Sequence, residues 1–294
     1  MMKELMGALA ASTVTIAMLL LPLNVIADEK FRNNADFQQT DAKRIVALGG
    51  SVTEIIYALG QHDRLVGIDQ SSVYPPEVQS LPSVGYYRNV PAEGVLRLKP
   101  DLVIASEQAG PSQSLAQLTA LGIRIERVSD QPELDSLYTR IDQIAKLLGV
   151  SEQGQNIRDE LELKLASSYR FQKHQPSAMM IVMRSGKLLG AGRNTAAAKI
   201  IELSSLDNLL NDYSGYRPIS AEIVHARMPA ALIVTTHTVQ SFGGIDALRQ
   251  HVALSKTPAA INGHMIELDD LLAQGLGPRL PLAIEKIRQG ISVQ

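Results

Sequence analysis

Residues 86–104 read YYRNVPAEGVLRLKPDLVI, and residues 215–233 read GYRPISAEIVHARMPAALI. At one constant offset of 129 and without a gap, Tyr87 falls on Tyr216, Arg88 on Arg217, Ala92 on Ala221, Glu93 on Glu222 and Pro100 on Pro229. One unit written twice, half a chain apart, predicts two similar lobes. Paired lobes leave a cleft between them whose rims carry equivalent residues, which is a geometry for binding.

The chain has 294 residues, enough for two such lobes, with 45% hydrophobic and 20% charged content of the ordinary globular kind. Its formal net charge of -2 offers no basic excess with which to hold nucleic acid or an anionic membrane. Residues 1–27 differ from the rest: Lys3 opens them, an apolar run follows from 6 to 23, and Val25-Ile26-Ala27 precedes Asp28. The pattern predicts a secretory signal peptide cut after Ala27. The run of about 17 residues lies at the short end for a membrane-spanning helix, so cleavage is the expectation rather than an anchor. There is no cysteine, hence no disulfide and no thiol to carry a lipid at the cut. A periplasmic protein free of a lipid anchor is expected.

Residues 28–43 are polar and aperiodic and read as a loose leader. From 44 the signals alternate. Strands are expected at 44–48, 65–68, 101–105 and 123–128, and helices at 52–59 after a Ser51 cap, 92–98 and 112–121. Asp130 and Pro132 read as the cap and first turn of a helix closed by Gly149. Ser151 starts a further helix to about 171, roughly 30 Å long and able to join two lobes. The alternation then restarts: strands at 179–183, 231–235 and 265–268, helices at 195–202, 221–226 and from Pro281. The expectation is an α/β fold of two parallel, helix-covered sheets. Its parts are a lobe at 44–150, a linking helix at 151–174 and a second lobe at 175–294.

Gly190-Ala191-Gly192-Arg193-Asn194-Thr195 starts like a dinucleotide fingerprint but lacks the third glycine, and reads as a turn before a helix. Its free N–H groups and Arg193 could receive an anionic group. No phosphate loop, zinc-protease helix or nucleophile elbow is present. The six histidines are scattered without ligand spacing, and Met179, Met180 and Met183 read as core filler. Tyr86 and Arg88 lie in a loop just before the first repeated helix. A phenol, with its pKa near ~10, becomes the anionic oxygen ligand that hard ferric iron favours when a cation or the iron itself stabilises the phenolate. Such a loop also serves as an ordinary amphipathic rim.

The stretch 84–88, Val-Gly-Tyr-Tyr-Arg, with Ala92-Glu93-Gly94-Val95-Leu96 and Leu98-Lys99-Pro100-Asp101-Leu102-Val103, resembles the periplasmic haem-binding proteins of bacterial haem ABC importers. So do residues 191–197, 213–218, 268–272 and 277–279. The resemblance spans residues 44–290, and its Leu-Lys-Pro-Asp-Leu-Val motif belongs also to the wider group that carries cobalamin and ferric siderophores.

That resemblance implies two Rossmann-like lobes joined by one long helix, with little hinge motion and ferric haem held between them. It implies Tyr86 as the axial iron ligand and Arg88 as the support of its phenolate, with Tyr87 a rival beside them. Arg193, Asn194, Thr195 and Arg217 are the expected partners of the haem propionates. Glu93 and Glu222 are expected to dock on an inner-membrane ABC permease dimer with its ATPase, and an outer-membrane haem receptor system is implied upstream. Binding of a ferric siderophore or cobalamin is the alternative, and an envelope enzyme the lesser one.

Overall fold

The computed structural model describes residues 37–168 and 175–292. The expected signal peptide lies outside these residues, as does the end of the linking segment. Among the described residues no helix is long and apolar enough to cross a membrane.

The first lobe runs β1 (Ile45–Leu48), α1 (Gly50–Ala58), β2 (Leu65–Ile68), α2 (Ala92–Arg97), β3 (Leu102–Ser106), α3 (Ser112–Ala120), β4 (Arg124–Val128) and α4 (Leu134–Leu148). Its four strands pair in the order β2-β1-β3-β4, all parallel. The central strands β1 and β3 are buried along their whole length, as a parallel sheet covered on both faces requires. Helix α5 (Ser151–Ser168) then packs on α4, with Leu161 and Leu165 buried, and reaches the second lobe.

The second lobe runs β5 (Ser177–Arg184), β6 (Lys187–Ala191), α6 (Ala196–Leu203), β7 (Asp207–Asn208), β8 (Tyr216–Pro218), α7 (Ala221–Arg227) and β9 (Ala231–Thr235). It continues with α8 (Thr236–Ser241), α9 (Ile245–Arg249), α10 (Pro258–Ile261), β10 (Met265–Leu268), α11 (Asp270–Gln274) and α12 (Leu280–Ser292). Its sheet order is β10-β9-β5-β6-β8, with β7 beside β5. Here the expectation of a purely parallel sheet fails, because β5 turns back through Ser185-Gly186 into antiparallel β6, which pairs antiparallel with β8. Pro218 is tolerated there because β8 is the sheet edge and need not donate outward.

The repeat is structural. Helices α2 and α7 start at equivalent residues, β3 and β9 coincide at the same offset, and Lys99 and Met228 both take left-handed backbone, φ 47° and 46°, before the equivalent prolines.

Three local expectations are corrected. Residues 37–43 are not loose: Phe37 is buried in the core, Thr40 N–H donates to Leu147 O, and Arg64 donates to the carbonyls of Thr40 and Ala42. Ser51 is not the cap of α1, which begins at Gly50 behind Gly49. Asp130 is not a helix cap either. Helix α4 starts at Leu134, and the Asp130 carboxylate instead accepts from Ser106 and pairs with the fully buried Arg140.

The lobes share a core. One hydrophobic cluster joins Ile45, Ile55 and Leu137 of the first lobe to Met180, Ile200 and Leu276 of the second. Polar ties reinforce it. Arg279 pairs with buried Glu54 at 3.2 Å and stacks on Tyr74, 3.6 Å from the ring centroid, while Arg140 donates across to Leu276 O. Lys199 of α6 reaches Glu133 at 2.9 Å. A continuous apolar core with a buried ion pair across the boundary opposes separation of the lobes, since opening would return its interlobe part to water.

Candidate functional site

The cleft is assembled around Asp69, a buried carboxylate just after β2. It accepts from the N–H of Gly49 and of Ser71, each at 2.9 Å, from Ser72 Oγ at 2.9 Å, and from Tyr87 N–H at 3.3 Å. One acidic side chain thus fixes three segments of the rim at once. Gly50 must be glycine: a Cβ there would stand 2.4 Å from Ser71 O. Gly85, at φ 96°, supplies the left-handed turn that carries the chain into Tyr86-Tyr87-Arg88.

That segment is a short 3-10 turn pinned at both ends. Asn89 N–H donates to Tyr86 O, and Gly110 N–H donates to Tyr87 O. The Tyr86 ring remains 40% exposed, packed edge-on against Tyr87 with centroids 5.0 Å apart. Arg88 Nε donates to the Tyr87 hydroxyl at 2.9 Å, and its guanidinium lies 5.1 Å from that ring's centroid. Burial pushes the Tyr87 phenol up to about 12, although Arg88 pulls the other way. Burial works against the charge of Arg88, but contact with Tyr87 and then with Tyr86 more than offsets it.

These residues open into a cavity of about 640 Å³ between the lobes. The first lobe contributes Ser51, Ser71, Tyr86 and Arg88, and the second contributes Arg184, Tyr216, Asp270 and Gln274. An adjoining cavity of about 260 Å³ is lined by Tyr87, Arg88, Tyr216, Asn194 and Thr195. The repeat therefore delivers Tyr87 and Tyr216 to opposite walls of the same cleft. Each carries a guanidinium over its ring, Arg88 at 5.1 Å and Arg184 at 5.2 Å.

The expected anion-binding residues divide. Asn194 and Thr195 line the adjoining cavity, but the Thr195 hydroxyl is engaged as the cap of α6, accepting from Ala198 N–H and donating to Gly192 O. Arg193 and Arg217 do not line the main cavity. Arg193 donates to the carbonyls of Asn211 and Asp212 and borders a separate cavity of about 460 Å³, while Arg217 lies beside Tyr213 and Ser214. The second-lobe cation at the cleft is Arg184, which the sequence reasoning passed over. Only its place at the end of β5, before a Ser-Gly turn, distinguishes it in sequence, whereas Tyr216 was marked by the repeat.

Glu93 and Glu222 stand exposed in the first turns of α2 and α7. The Ser220 hydroxyl beside Glu222 holds its carboxyl below the usual carboxylate range.

Two α/β lobes fixed by a shared core, with a polar and aromatic cavity between them, define a binding protein whose ligand sits at the lobe boundary. A family model for the periplasmic binding proteins matches residues 45–272, and the chain belongs to that family. It is similar to the periplasmic heme-binding protein RhuT from Roseiflexus sp. RS-1 in apo form, at 36% identity and a TM-score of 0.80, over 85% of this chain and 98% of that one. It is also 28% identical over 258 residues to YvrC of Bacillus subtilis (strain 168), named an uncharacterized ABC transporter substrate-binding lipoprotein, covering 85% of this chain and 80% of YvrC. A third likeness, 29% over 196 residues, is to the vitamin B12-binding protein of Yersinia pestis (strain Pestoides F), covering 66% of this chain and 70% of that protein. The chain is thus a substrate-binding protein of the ABC-transporter class.

Proposed function

We propose that this protein binds ferric haem in the interlobe cavity, with the Tyr86 phenolate on the iron, and delivers it to an inner-membrane ABC permease dimer and its ATPase. The observation that carries this reading is the exposed Tyr86 ring facing the cavity beside the Arg88 guanidinium. Tyrosinate is an established haem ligand. A guanidinium beside an iron-bound phenolate can donate a charge-assisted hydrogen bond to it. Tyr87 suits the ligand role less, because burial pushes its phenol up to about 12 and its hydroxyl is already engaged by Arg88. A cavity of about 640 Å³ falls within the ~300–1,000 Å³ of cofactor-sized sites.

Delivery rests on Glu93 and Glu222. Two carboxylates at equivalent helix starts, one on each lobe, suit a partner with two-fold symmetry that offers a cation to each. With the lobes fixed by their common core, the ligand would be presented with little hinge motion. In this reading the protein works in the periplasm, free of a lipid anchor, as a carrier and not as an enzyme. Upstream it would receive haem from an outer-membrane receptor system.

The likeness to a vitamin B12-binding protein favours cobalamin as the second reading. Titrating the purified chain with ferric haem and with cobalamin separates the two. A ferric tyrosinate-type spectrum at one equivalent or two supports haem, and cobalamin binding without a haem spectrum supports the alternative.

A further inference from the structure

The wall of the cleft opposite Tyr86 holds a second set of polar groups. Tyr216, at the start of β8, has its hydroxyl buried without a hydrogen-bond partner among the described residues. A buried O–H left unmatched is costly, so such a group in a cleft is poised for an acceptor on the ligand. Burial pushes this phenol well above its usual range, with the charge of Arg184 pulling the other way, so it remains a proton donor at neutral pH.

Arg184 lies over the Tyr216 ring, 5.2 Å from its centroid, and is steered by a 3.3 Å hydrogen bond to Gln274 Oε1. It forms no ion pair with a carboxylate among the described residues. The two acids that line the cavity are otherwise occupied: Asp130 is held by Arg140 and Ser106, and Asp270 accepts from His237 N–H. An unpaired guanidinium, oriented by an aromatic face and an amide and set next to an unmatched phenol, has the donor geometry for a carboxylate.

We infer that Arg184 and Tyr216, steadied by Gln274, form a carboxylate-recognition point in the second lobe that grips an acidic side group of the ligand. This deepens the haem reading and rests on it. The acidic groups would be the propionates, taken by Arg184 and not by Arg193 or Arg217. Arg88 on the first lobe serves the iron side and Arg184 on the second serves the anionic edge, so ligand orientation in the cleft follows from which guanidinium meets which group.

Affinities for ferric haem and for its dimethyl ester, measured by absorbance titration on the wild type, Arg184→Gln and Tyr216→Phe, test this. The wild type is expected to prefer the free acid over the ester by roughly 10-fold or more, as a charge-assisted hydrogen bond would give. Arg184→Gln should erase most of that preference by weakening only the free acid. Tyr216→Phe should reduce it by a smaller factor, and the iron spectrum should be unchanged in both. An unchanged preference in Arg184→Gln, with the spectrum intact, overturns the recognition point alone. A wild type that gives no haem spectrum rejects the haem reading itself.

Discussion

Arg88 donates to the hydroxyl of Tyr87 at 2.9 Å, so the cation beside the proposed ligand is held in place by the neighbouring phenol. Tyr87 is then a positioning residue. Tyr87→Phe removes one hydrogen bond and should weaken ferric haem by roughly 3- to 10-fold, the worth of a typical bond. The tyrosinate spectrum should persist, and its disappearance in this variant would make Tyr87 the ligand.

The pair between Arg279 and buried Glu54 joins the lobes. Arg279→Ala leaves Glu54 buried without its charge partner, keeping only the backbone N–H of residue 279, and loss of one partner of a buried pair costs about 3–5 kcal/mol. Urea unfolding should show a loss of unfolding free energy of that size. A loss below about 1 kcal/mol would mean the shared apolar core holds the lobes alone.

Burial raises the Glu54 carboxyl above its ordinary value of 4.5, with Arg279 opposing. A group whose folded pKa is raised stabilises fully below its unfolded pKa and loses that contribution as pH rises through the folded one. The unfolding free energy of the wild type should therefore fall, relative to Glu54→Gln, as pH rises from 4.5. Denaturation series on both proteins from pH 4 to 8 give the slope, and parallel curves would refute the shift.

Much of this architecture could be read from the residues because the repeat is long and gapless. It fixed α2, β3, α7 and β9, and it carried Tyr216 to the cleft together with Tyr87. The β5–β6–β8 ladder escaped because β6 ends in Gly190-Ala191, part of the glycine-rich run that reads as a turn, and β8 contains Pro218, a residue that argues against a strand until the edge position is known. Asp130 has the sequence position of a cap, and only the fold shows that its partner is Arg140. Arg184 was invisible for the same reason: its significance lies in Tyr216 and Gln274, which are distant in sequence. Arg193 and Arg217 had favourable local sequence, but their guanidiniums turn to nearby backbone carbonyls.

Charge reversal of both lobe glutamates, Glu93→Lys with Glu222→Lys, should abolish haem-dependent growth or uptake while haem affinity stays within a factor of about 2. Both side chains are exposed and lie outside the cavity, so folding should be unaffected. Each single reversal is expected to give a partial loss. Uptake that survives the double reversal would reduce these residues to helix-end charges.

The central claim is that Tyr86 holds the iron. Purified wild type, Tyr86→Ala and Tyr87→Phe are each titrated with ferric haem and followed by absorbance. The wild type and Tyr87→Phe should show the ferric tyrosinate bands, and Tyr86→Ala should lose them. Bands that remain in Tyr86→Ala, or a wild type whose haem spectrum never departs from that of free haem, would contradict it.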